Sequence, residues 1–138
     1  MSLELKEVKS RPESEKITIN LGFVDLGNID LLVRDGFYSN RTDFIRTAIR
    51  NQLERHSEPT KASISRKQLE LGISYYSKAQ LEQARSCGEM LDIRVLGLAT
   101  IAADVTPELA RATIRSLTVL GALHASAAVK SALSDRIG

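Results

Sequence analysis

Residues 16–53 read KITINLGFVDLGNIDLLVRDGFYSNRTDFIRTAIRNQL, and the first six constrain the rest. Lys16-Ile17-Thr18-Ile19-Asn20-Leu21 alternates without a break. In extended backbone Ile17, Ile19 and Leu21 share one face, and Lys16, Thr18 and Asn20 share the other. The apolar spacing then turns helical at Leu26, Ile29, Leu32 and Val33, behind a candidate cap at Asp25. Gly36 is a natural left-handed stop. Asn40, with Asp43 three residues on, opens a second helix through a side-chain cap and an acid at N3. Its stripe is Phe44, Ile45, Ala48, Ile49 and Leu53, with Arg46, Arg50 and Arg55 largely off it. The order is strand, helix, helix, closing at His56, where a partial positive charge suits a helix end.

A unit spanning residues 16–56 has too little core to stand alone. Its single strand has no partner, so both edges carry open backbone groups. A second copy solves both problems. Two antiparallel strands, one from each chain, form a ribbon over four helices. The shared core then holds Ile17, Ile19, Leu21, Ile29, Leu32, Phe44, Ile45 and Ile49. Lys16, Thr18 and Asn20 of each chain point outward, on a ribbon of the right width for the DNA major groove. Lysine donates to guanine, asparagine pairs two-sidedly with adenine, and threonine bonds or touches a thymine methyl. The start of the second helix, Ser39-Asn40-Arg41-Thr42, offers free N–H groups to a phosphate and fixes the ribbon's position.

The segment resembles the ribbon-helix-helix family of DNA-binding proteins (the MetJ/Arc, or CopG-like, regulators). The resemblance rests on the alternating strand, the helix stopped by Gly36, then Ser39-Asn40-Arg41-Thr42-Asp43 and Ile45-Arg46-x-Ala48-Ile49-Arg50. It implies an obligate homodimer on double-stranded DNA. Base contacts come from Lys16, Thr18 and Asn20, and phosphate contacts from Ser39, Asn40, Arg41 and Thr42. It also implies a transcriptional regulator, most often a repressor. Residues 1–60 hold 9 Lys and Arg against 10 Asp and Glu, a net of −1. DNA-binding modules usually carry a basic footprint, so the acids of the first helix (Asp25, Asp30, Asp35) are expected to face away from DNA.

Outside this segment, residues 1–15 read as a charged, flexible arm and 57–63, with Pro59, as a linker. Residues 64–138 repeat at a spacing of 24. Leu69, Ile93 and Leu117 align, as do Leu71, Val95 and Val119, Ala79, Ala103 and Ala127, and Leu81, Val105 and Val129. Gly97 and Gly121 also fall in register. Each repeat reads as a strand, a turn and a helical segment, the helices starting near Lys78, Pro107 and Ala128. The expected class is therefore α+β: a ribbon-helix-helix unit plus a small C-terminal α/β repeat, solenoid-like, with parallel strands and helices on one side. Three repeats leave open strand edges at both ends, and little chain follows the third to cap them. That points to docking on another copy or a further protein, assembling dimers into tetramers or higher forms; ligand sensing is the other use.

The 138 residues are 43% apolar and 26% charged, with 4% aromatics and a net charge of +2. The composition is globular. The single Cys87 permits no disulfide within one chain and reads as a small packing residue in a reducing cytoplasm. No apolar run is long enough for a membrane span, and the amino end is not a signal peptide. His56, His124 and Cys87 lack ligand spacing, so no metal, no cofactor and no enzymatic activity are expected. Two further uses share this N-terminal pattern. One is the antitoxin of a toxin–antitoxin pair; the other is a DNA-coating partition or nucleoid protein.

Overall fold

A computed structural model describes residues 14–138. All but the last two residues of the expected arm, 1–15, lie outside the described residues. The chain divides at Glu58/Pro59 into two units.

In the first unit, α1 spans Phe23–Arg34 and α2 spans Arg41–Arg55. The expected Asp25 cap is not where α1 begins. The chain leaves extended backbone at Gly22 (φ −65°, ψ 155°), so Asp25 sits inside the first turn, where its charge still suits the dipole. The expected stop at Gly36 is present, at φ +86°. Phe37 N–H donates to Leu32 C=O (3.0 Å) and Gly36 N–H to Val33 C=O (3.1 Å), which closes α1 as a Schellman turn. Residues 16–21, expected as a strand, belong to no strand in the single chain. A strand exists through its ladder, and this segment meets no partner strand among the described residues of one chain.

Helix α3, Ser57–Lys67, occupies the expected linker. Pro59 is its third residue, in the first turn, where the missing N–H breaks no helical bond. Lys61 and Ala62 then favour continuation. Proline reads as a breaker in the sequence, and here it is part of a helix start.

The second unit continues with β1 (Glu70–Tyr76), α4 (Lys78–Ser86), β2 (Leu91–Ile101), α5 (Pro107–Thr113), β3 (Ile114–His124) and α6 (Ala127–Ala132). The strands form one parallel sheet in the order β1–β2–β3. The hydroxyls of Ser77, Thr106 and Ser126 cap the three helices. α5 lies between α4 and α6. Spacing 24 holds between β2 and β3, pairing Ile93 with Leu117 and Val95 with Val119. It fails between β1 and β2, where Val95 pairs with Glu70 and not Leu71. A column of Gly72, Gly97 and Gly121, all at positive φ, sets the true register. A Cβ on Gly97 would lie 2.2 Å from the Gly72 carbonyl oxygen, and one on Gly121 2.1 Å from that of Gly97. The strands approach this closely because no side chain stands between them.

Alternation gives the sheet two unlike faces. One buries Ile93, Val95, Ala99, Ile101 and Leu117 against Leu81, Leu109, Val129 and Leu133 of the helical segments, forming the core. The other carries three rows across the strands: Leu71–Leu96–Leu120, Ile73–Leu98–Ala122 and Tyr75–Thr100–His124. The outer edge of β3 gains one bridge, Leu117 to Ile137, with Leu117 N–H donating to Arg136 C=O at 3.0 Å. Arg136 also donates to the carbonyls of Arg111 and Ile114, which ties this tail down. Cys87, expected to pack inside, is exposed at the end of α4. Among the described residues no helix is long and apolar enough to cross a membrane.

Candidate nucleic-acid interface

Lys16, Thr18 and Asn20 are exposed to solvent, on a segment with no strand partner among the described residues. Ile17 and Ile19 are also exposed, at 76% and 63%. Two isoleucines so placed are costly to leave in water. Beside them α1 and α2 enclose an apolar groove of about 390 Å³. Its lining gathers seven of the eight residues expected in a shared core: Ile19, Leu21, Ile29, Leu32, Phe44, Ile45 and Ile49. Ile17 stands outside it. Of the seven, only Ile29 is buried in the single chain.

The turn into α2 is built locally. Asn40 is extended (φ −167°, ψ 178°), and its Oδ1 accepts from Asp43 N–H at 2.8 Å. Asp43 reaches back, its Oδ2 accepting from Ser39 N–H at 2.9 Å. The Tyr38 ring meets Phe44 edge to face, with centroids 5.0 Å apart, and pins the turn to the helix. Nothing in the spacing of the sequence singled out Tyr38.

These bonds sort the four expected phosphate residues. Ser39 has given its N–H to Asp43 and keeps its hydroxyl. Asn40 has given its carbonyl oxygen and keeps its two amide hydrogens. The N–H groups of Arg41 and Thr42 find no protein acceptor among the described residues, as expected of the first helical positions. The Arg41 side chain is engaged. Its Nε donates to Asp30 Oδ1 at 2.8 Å and a second guanidinium nitrogen to Asp30 Oδ2 at 2.9 Å. This fork ties the start of α2 to α1. It lowers the Asp30 carboxyl and raises the Arg41 guanidinium, in each case chiefly through the shared hydrogen bonds. Asp30, expected to face away from DNA, binds a cation that was expected to meet a phosphate. Arg46 and Arg50 are exposed.

Among the described residues no three His, Cys, Asp or Glu side chains gather as a metal site. His56 ends α2, its Nδ1 3.0 Å from Gln52 C=O. His124 ends β3 on the exposed side.

The ribbon-helix-helix transcriptional regulator family matches the chain over residues 12–130. The match runs past the strand-helix-helix segment and through most of the sheet unit. No curated protein and no solved structure matches.

Proposed function

Because the chain belongs to the ribbon-helix-helix transcriptional regulator family, we propose that it is a sequence-specific repressor acting in the cytoplasm. Membership implies DNA binding and a dimer. In the proposed mechanism, residues 16–21 of two chains pair antiparallel. Ile19 and Leu21 then close over the groove of α1 and α2, and the ribbon enters the major groove. Lys16, Thr18 and Asn20 read base edges. The open N–H groups of Arg41 and Thr42, the Asn40 amide and the Ser39 and Thr42 hydroxyls hold phosphates at the helix start. The C-terminal unit joins dimers into larger assemblies, so that several weak contacts act together.

The observation that carries this reading is the pairing of an exposed, alternating, unladdered segment with an apolar groove beside it. The test is protection of the DNA upstream of the protein's own gene by the full chain, with guanine N7 methylation as the groove reporter. A short, two-fold symmetric footprint blocked by N7 methylation is expected. Binding insensitive to major-groove methylation would overturn the reading. A long footprint with little sequence preference would favour a DNA-coating role instead.

A further inference from the structure

We infer that the open face of the β1–β3 sheet pairs with the same face of a second copy of this chain. The inference rests on the assembly role proposed above and assigns it a surface. All-parallel sheets are normally covered on both faces. Here the helices cover one. On the other, Leu71, Ile73, Tyr75 and Leu120 are 69%, 66%, 56% and 48% exposed. Their three rows contain no charged residue.

The area and the chemistry select the occupant. This face presents apolar surface on the order of 500 Å², at the upper end of what a monomer tolerates. Two such faces together cover on the order of 1,000 Å², the threshold for a specific interface. The charges on this side of the sheet lie beyond the rows and are already engaged. Asp92 takes Arg115 and the Ser116 hydroxyl, and Arg94 donates to Gln68 at 3.0 Å. Stacking the three rows on a like face therefore buries no charge of their own. With no cation in the rows, nucleic acid is a poor occupant. A two-fold pairing needs a self-complementary surface, and three rows free of charge and mostly apolar meet that need. The strand edges, singled out from the sequence as the docking sites, are not required.

The test uses full-length protein and two independent disruptions. Ile17→Asp with Ile19→Asp breaks the ribbon; Ile73→Glu with Leu120→Glu charges the sheet face. Sedimentation gives the mass, and amide exchange in β1–β3 checks that the sheet persists. The ribbon variant is expected to remain a pair of chains, and the four-residue variant to fall to one, a twofold drop in mass. If the charged face disturbs the sheet, Leu71→Lys on the outer strand serves in its place. A ribbon variant that is already single-chain, with its sheet intact, overturns the inference. The ribbon reading fails differently: the face variant alone would then sediment as one chain, where a pair is expected.

Discussion

Replacing Asp30 by asparagine should make this protein a tighter and more salt-sensitive DNA binder. The bidentate pair with Asp30 holds the Arg41 guanidinium at the very turn where phosphate contacts are expected. An asparagine in its place carries no charge and cannot hold the fork as a carboxylate does. Releasing Arg41 gives each chain one more cation for a phosphate, or two per dimer. Each added phosphate contact steepens the slope of log affinity against log salt by about 0.9. Two contacts add about 1.8, so raising salt from about 50 to 200 mM should cost the variant roughly tenfold more affinity than the wild type. At the lower salt its affinity should exceed that of the wild type. Both side chains are exposed, so the fold should lose little. Fluorescence anisotropy across a salt series reads the slope, with Arg41→Ala as the control that should lose little affinity. An unchanged slope in the Asp30→Asn variant would refute the reasoning, because Arg41 would then lie out of reach of any phosphate.

Three further outcomes follow from the same geometry. Asn40→Ala removes the cap on Asp43 N–H and should cost about 1 kcal/mol in urea unfolding, with weaker DNA binding besides. Gly72→Ala and Gly97→Ala both force a side chain into positive φ, at about 1–3 kcal/mol. Only the second also drives a Cβ to 2.2 Å from a carbonyl oxygen, so it should cost about 1–3 kcal/mol more; equal losses would discount the close approach. Hydrogen bonds from Arg115 and then Ser116 hold the Asp92 carboxyl well below the usual carboxylate range. A lowered folded-state value stabilises above the unfolded pKa of about 3.9 and is lost as pH falls through the folded value. Asp92→Asn should therefore be less stable than wild type at neutral pH. The gap should narrow as the pH drops below about 4, read from urea midpoints.

What the sequence disclosed was local. Gly36, Asn40 and Asp43 make their contacts within a few residues, so their roles were readable from spacing. The same holds for the helix starts near Lys78, Pro107 and Ala128. What escaped was tertiary or depended on context. Arg41 has its carboxylate on another helix, eleven residues away in sequence. Pro59 looks like an interruption until the helix is seen to begin two residues before it. Tyr38 matters only because the turn brings Phe44 back to it. The 24-residue repeat aligned β2 with β3 but misplaced β1 by one residue, since the segment joining β1 to β2 does not keep the spacing. Gly72 was thereby left out of the column it belongs to. Residues 16–21 are the opposite case: their alternation is plain in the sequence, yet among the described residues they have no strand to pair with.

The most direct test of the account is DNA discrimination by the Lys16→Ala, Thr18→Ala, Asn20→Ala variant. Anisotropy on the natural target and on unrelated DNA, at one salt concentration, gives the ratio of affinities. A single good base contact supplies about 1–3 kcal/mol of discrimination, so the ratio should fall by at least about tenfold while binding to unrelated DNA and the dimer mass persist. A variant that keeps the wild-type ratio would show that sequence is read elsewhere, and the ribbon would not be the reader.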